Sequence, residues 1–90
     1  MVDVFIEDKV VRIIAELPDV RKEDINVKAT DSRVSISAQS GSNSFSTEKA
    51  LSVKIKPKTA NTSYKNGILE LSFERKEPQE DEDEFEIKIE

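Results

Sequence analysis

The side chains that could do chemistry lie in two stretches, the hydroxyls of residues 40–47 and the carboxylates of residues 80–84. A serine or threonine nucleophile needs a base, but none stands near in sequence and the chain has no histidine. The acidic run lacks the spaced oxygen ligands and the glycine of a calcium loop. The chain also has no cysteine, which removes thiol nucleophiles, disulfides and the usual zinc sites. We therefore predict no enzymatic activity, no cofactor and no metal site.

The end of the chain points instead to binding. Ile87-Lys88-Ile89 carries two β-branched side chains that an extended backbone points the same way. They follow an almost wholly acidic stretch, beyond the last strand expected to reach a core. We predict that Ile87 and Ile89 form an oligomerisation tail. The alternatives are a strand that folds back on its own domain and a frayed end.

Charge divides the chain at the same place. Residues 77–90 hold eight acidic residues and one lysine, whereas residues 1–76 hold eleven acidic and thirteen basic residues. Such a charge run resists packing, so we predict a folded domain at 1–76 and a flexible acidic C-terminal extension at 77–90. The acidic tail and the scattered lysines disfavour nucleic acid as a partner. No signal peptide or apolar run long enough to span a membrane is recognisable, so we expect no membrane partner and a cytoplasmic location.

Period-two alternation of apolar and polar residues dominates residues 1–76, and no window has a convincing helical period. Seven or eight short strands at 8–12-residue intervals predict an all-β fold, an antiparallel immunoglobulin-like β-sandwich, with a small barrel as the alternative. A further short strand is expected from Thr59 to Tyr64, before the Asn66-Gly67 turn. The expected strand faces are Val2, Val4 and Ile6; Val11, Ile13, Ala15 and Leu17; Ile25, Val27 and Ala29; Val34, Ile36 and Ala38; Leu51, Val53 and Ile55; and Leu69, Leu71 and Phe73.

Breaks between these strands are marked by turn residues. Asn66-Gly67 is the strongest turn signal because both residues tolerate a positive φ. Pro18 and Pro57 are expected to end strands, since proline cannot donate to a ladder. Residues 39–48, rich in Ser, Asn and Gly, are predicted to be a flexible loop. Phe45 within it is a candidate loop contact, either an anchor on the rim of the sandwich or a contact for another protein or a second subunit.

Four segments resemble the small heat-shock protein (alpha-crystallin domain) family. Val2-Asp3-Val4-Phe5 is similar to its opening strand. The stretch Val11 to Val27, with Ala15-Glu16-Leu17-Pro18 and Glu23-Asp24-Ile25-Asn26-Val27, resembles its central segment. Tyr64-Lys65-Asn66-Gly67-Ile68-Leu69-Glu70 resembles its late strand-turn-strand signature. Ile87-Lys88-Ile89 matches its C-terminal Ile-x-Ile/Val motif. Together the segments cover most of the chain, in the family's order.

The resemblance implies an ATP-independent holdase chaperone that binds unfolding client proteins and limits their aggregation. It implies a homo-oligomer, a dimer or larger, in which the tail isoleucines enter a groove between edge strands of a neighbouring subunit. The matching candidate groove residues in this chain are Ile25, Val27 and Tyr64.

The chain departs from the family pattern in four places. Asp19 stands where the family usually has a glycine after the proline, and Thr62 stands where it has an alanine. The usual arginine of the strand before Pro57 has no counterpart near Ser52. The segment 39–48 is shorter than the strand-bearing loop that non-animal members exchange to dimerise. The sequence also shows no counterpart of the client-binding N-terminal region of the family, so we expect either a trimmed chain or a minimal member.

Two other functions are compatible with these departures. A CS-domain-like co-chaperone, a related sandwich that binds an ATP-driven chaperone as a monomer, fits the short loop but not the Ile-x-Ile tail. A structural scaffold module that kept the tail for polymer contacts is the other. Oligomer mass distinguishes the holdase from the co-chaperone, and suppression of aggregation distinguishes both from the scaffold.

Overall fold

The computed structural model describes residues 2–76 and 89, and residues 2–76 form seven strands and one 3₁₀ turn. The strands are β1 (Val2–Ile6), β2 (Val10–Glu16), β3 (Ile25–Ala29), β4 (Arg33–Ser40), β5 (Asn43–Ala50), β6 (Ile55–Lys65) and β7 (Ile68–Arg75), with the 3₁₀ turn at Lys22–Asp24. The predicted extension at 77–90 lies outside the described residues except for Ile89.

The strands form two antiparallel sheets. One has the order β1-β2-β7-β6 and the other β3-β4-β5. The edges are therefore β1 and β6 in the first sheet and β3 and β5 in the second. This arrangement confirms the predicted β-sandwich and rules out the barrel, because neither sheet closes on itself.

Period-two alternation places the core between the sheets. In β2, β4 and β7 the inward-facing residues are at most 5% exposed, as the alternation predicted. Leu17 and Ile55 complete this buried cluster. Its members are Val11, Ile13, Ala15, Leu17, Val34, Ile36, Ala38, Ile55, Leu69, Leu71 and Phe73.

The Asn66-Gly67 turn forms as expected, with φ of 53° and 78°. Positive φ at both central residues is the type I′ pattern that matches the twist of the flanking strands. The Gly67 carbonyl accepts a hydrogen bond from the Leu17 N–H at 2.7 Å. A Cβ at Gly67 would lie 3.3 Å from the Pro18 Cα. The turn between β6 and β7 is thus packed directly on the corner that follows β2.

That corner explains one departure from the family pattern. Asp19 has a φ of 61°, in the left-handed region that favours glycine and that aspartate also tolerates. Its carbonyl accepts a hydrogen bond from the Ser40 hydroxyl at 2.8 Å. Asp19 therefore takes the conformation for which glycine is usually required.

The prediction of a flexible loop at residues 39–48 is wrong. Ser40 pairs with Asn43 across a two-residue turn, and the whole of β5 pairs with β4. Gly41 opens the turn with a φ of 60°, as a type II′ hairpin requires. The polar composition reflects the position of β5 at a sheet edge, where most of its side chains face solvent.

The prediction of a strand through Leu51 and Val53 that stops at Pro57 is also wrong. Residues 51–54 cross from one sheet to the other and are held by isolated backbone bonds, such as Leu51 N–H to the Ser32 carbonyl at 2.8 Å. β6 begins at Ile55 and continues past Pro57. Proline is tolerated because β6 is an edge strand with a bulge, in which residues 57–60 face only Phe73.

Candidate functional site

A groove lies between β3 and β6, the edge strands of the two different sheets. Its volume is about 290 Å³. The three residues predicted for it, Ile25, Val27 and Tyr64, all line it and are each partly buried. The remaining lining residues are Lys22, Thr62, Ser63 and Leu69.

Both walls of the groove are free strand edges in the part of the chain that the structure describes. β3 pairs only with β4, and β6 pairs only with β7. An edge strand directs every second N–H and C=O pair away from its sheet. The groove therefore combines apolar side chains with backbone hydrogen-bonding groups, which is the arrangement that accepts an extended peptide as an added strand.

Tyr64 fixes the groove to the corner after β2. Its hydroxyl lies 2.5 Å from the Leu17 carbonyl oxygen and 2.7 Å from the Val20 carbonyl oxygen. A phenol has one proton, so the two carbonyls share one donor. The ring lines the groove, while the hydroxyl satisfies two backbone acceptors beneath it.

We expect Tyr64→Phe to separate these two roles. The ring that lines the groove remains, but the shared donor to the Leu17 and Val20 carbonyls is lost. Loss of a hydrogen bond to partly buried acceptors costs about 1–2 kcal/mol of unfolding free energy. Urea unfolding measures this change, and an unchanged midpoint would show that the hydroxyl contributes nothing to stability.

Sequence reasoning missed four of the residues in the groove. Leu69 belongs to an apolar strand face in the sequence and is 5% exposed in the core, and it also lines the groove. Lys22 and Ser63 are ordinary polar residues, and nothing in the sequence marks them as part of a site. Thr62 occupies the position at which the family has alanine, so this departure falls inside the groove. Only the packing of one sheet on the other brings β3 and β6 together, and alternation within a strand does not encode that packing.

The predicted tail is described only at Ile89. Its side chain is 97% exposed, so it does not occupy the groove of its own chain here. Ile87 lies outside the described residues. The role of Ile87 and Ile89 stays a prediction.

Phe45 lies in β5 opposite Ala38, and not in a loop. It is partly buried, packs against the core, and lines a cavity of about 320 Å³ with Leu17, Pro18 and Val20. This position fits the anchor interpretation of Phe45. Whether it also contacts a client or a second subunit stays a prediction.

Other kinds of site receive no support from residues 2–76 and 89. No group of three or more acidic, histidine or cysteine side chains there could hold a metal ion. Within the same residues, no helix is long and apolar enough to cross a membrane.

Comparisons with known proteins agree with this geometry. The family model of the Hsp20/alpha crystallin family matches residues 3–90. No curated protein sequence matches the chain significantly. Several solved structures share its fold.

Heat shock protein 16.0 from Schizosaccharomyces pombe is similar with a TM-score of 0.76 at 23% identity, over 100% of this chain and 96% of that one. A small heat-shock protein from Xylella fastidiosa has a TM-score of 0.75 at 18% identity, over 100% and 94%. HspA from Xanthomonas axonopodis has a TM-score of 0.74 at 21% identity, over 83% and 91%. These likenesses concern the fold, whereas the family model spans nearly the whole sequence. The chain belongs to the Hsp20/alpha crystallin family, the small heat-shock proteins.

Proposed function

We propose that this chain is an ATP-independent holdase that binds unfolding proteins and limits their aggregation. It works in the cytoplasm as a homo-oligomer assembled through its C-terminal tail. Its partners are unfolding clients and further copies of itself, with no nucleic acid, membrane, cofactor or catalytic step.

The observation that carries this proposal is the groove between β3 and β6. Its walls hold Ile25 and Val27 only partly buried, beside two strand edges. An unfolding protein exposes extended segments with apolar side chains and unpaired backbone groups. The groove supplies a partner for both, and neither kind of contact requires nucleotide.

The same groove can hold the tail of another subunit. Burying two isoleucine side chains contributes roughly 1.5–3 kcal/mol each, before the cost of ordering the tail. The acidic residues before the motif set its reach and keep a detached tail in solution. Assembly and client binding then compete for one surface, in an equilibrium between capped and open grooves.

Light scattering of a heat-labile client tests the holdase activity. We expect the chain to suppress scattering at near-equimolar amounts without nucleotide. Val27→Lys places a charge in the groove and should weaken the suppression. Asn26→Lys is the matched control, because it adds the same charge on the exposed opposite face of β3. No suppression by the unmodified chain, or equal losses in both variants, would contradict the proposal.

A monomeric co-chaperone of the CS-domain kind is the second candidate. The two-residue turn between β4 and β5 favours it, because this hairpin leaves no strand-bearing loop to exchange between subunits. Native mass distinguishes the two functions. An oligomer supports the holdase, whereas a monomer at all concentrations supports the co-chaperone.

A further inference from the structure

Strand β1 forms a free apolar edge on the side of the four-stranded sheet away from the groove. It pairs only with β2 among the described residues. Phe5 is 46% exposed and the adjacent Ile6 is 44% exposed. Asp3 is the only charged residue of the strand, which has no lysine, proline or bulge. Lysines, prolines and bulges are the features that usually prevent an edge strand from pairing with another chain. Because β1 lacks them, its edge is poorly protected against such pairing.

The direction of the free backbone groups in β1 follows from the hairpin. The Glu7 N–H donates to the Val10 carbonyl at 2.9 Å, so Glu7 and Val10 form a hydrogen-bonded pair. Such pairs alternate along an antiparallel ladder with pairs whose backbone groups point away. The register then makes Val2, Val4 and Ile6 the residues that direct N–H and C=O groups outward.

Their side chains lie on the face of the strand that is turned toward the core: Val2 and Val4 pack against it, whereas Ile6, at the end of the strand, is 44% exposed. Val2, Val4 and Ile6 pair with Ala15, Ile13 and Val11, whose side chains are fully buried. The edge therefore offers free backbone groups and inward-facing apolar side chains at the same three positions. A partner strand must have apolar residues at the same period.

A second copy of β1 meets this requirement. When two copies run antiparallel about a two-fold axis at Val4, Val4 faces Val4 and Val2 faces Ile6. On the outer face Asp3 of each copy lies opposite Phe5 of the other, so no like charges meet. Each outward N–H then finds a carbonyl of the other copy. A two-fold interface needs this kind of self-complementarity.

The other free edges fit a second copy less well. β3 and β6 border the groove assigned to the tail and to clients. β5 has polar side chains at every position except Phe45 and Ala50. The turn between β4 and β5 spans two residues, so this hairpin has no spare chain to cover the β1 edge.

We propose that two copies of the chain dimerise through antiparallel pairing of β1 about Val4, which joins their four-stranded sheets. This surface is separate from the groove, and the proposal goes beyond the holdase function without depending on it. The dimer persists when tails detach, and it leaves both grooves open.

Single-cysteine crosslinking tests the register, because the full chain has no cysteine of its own. Facing residues of a hydrogen-bonded pair have Cα atoms about 5.5 Å apart, a distance that a disulfide spans. Val4→Cys should therefore crosslink into a covalent dimer under mild oxidation. Val2→Cys is the register control: its own copy lies four residues further along, about 13 Å away, so it should not crosslink alone. When the Val2→Cys chain is mixed with the Ile6→Cys chain, the two should crosslink, because Val2 faces Ile6 of the other copy.

Solution mass provides the second measurement. In a chain carrying Ile87→Ser and Ile89→Ser, we expect twice the 10.2 kDa of one chain. Adding Val4→Lys should lower this mass to that of one chain, with circular dichroism confirming that the strands remain. The β1 dimer would be overturned if Val4→Cys and Val2→Cys crosslinked equally. It would also be overturned if neither crosslinked while Ser46→Cys on β5 did, or if the tail variant were a monomer. None of these results would affect the client assay.

Discussion

Replacing Ile87 and Ile89 together by serine will reduce the native mass of the oligomer to that of a dimer or monomer. Under the proposed insertion, each isoleucine would contribute roughly 1.5–3 kcal/mol on burial, so the pair would supply most of the tail's binding free energy. A loss of about 3 kcal/mol lowers an affinity more than a hundredfold. Size-exclusion chromatography with light scattering measures the change.

The matched control for this pair is Glu86→Ser with Lys88→Ser. These residues have the same spacing as Ile87 and Ile89, but an extended backbone points them the other way. One negative and one positive charge are removed, so the net charge of the tail is kept. An unchanged mass in the isoleucine variant, or an equal loss in the control, would contradict insertion of the tail.

Val27→Lys tests the other side of the same contact. Because the lysine would occupy the groove, it should reduce the mass as the tail variant does. Combining Val27→Lys with the tail variant should give little further change, since both remove one interaction. Additive losses would place the tail on a different surface.

Alternation along the sequence predicted the sandwich because strands buried on one face must repeat every two residues. Val11, Ile13 and Ala15 show this pattern and are fully buried. The Asn66-Gly67 turn was predictable for a similar reason, since few residue types tolerate a positive φ at both positions.

The wrong predictions at β5 and at residues 51–57 have a common cause: a side-chain pattern reports contact with solvent or core, and not backbone hydrogen bonding. The composition of an edge strand reports its contact with solvent more than its backbone hydrogen bonds, so Ser44 and Ser46 resembled loop residues. Leu51 and Val53 alternate like a strand, but they cover the end of the core where the chain changes sheet. The groove was predictable only through the family resemblance, because packing between the sheets brings Val27 and Tyr64 together.

Phe73→Ala is expected to have the largest effect on stability of any variant considered. Phe73 is 2% exposed, pairs with Val11, and is the only β7 residue opposite the β6 bulge. Truncating a buried phenylalanine costs about 3–5 kcal/mol, because the bulged edge and the opposite sheet close the cavity only partly. A domain of this size has roughly 5–10 kcal/mol of stability in total.

Thermal unfolding measures this loss, which corresponds to a fall in Tm on the order of 15–30 °C. The Ile87→Ser and Ile89→Ser background, at one protein concentration, removes the contribution of tail assembly to Tm. Phe45→Ala is the graded control: its ring is only partly buried beside a cavity, so its truncation removes fewer contacts and should lower Tm less. If the two phenylalanine variants melt together, the core is not centred on the inner face of β7, and the sheets pack differently from the arrangement that forms the groove.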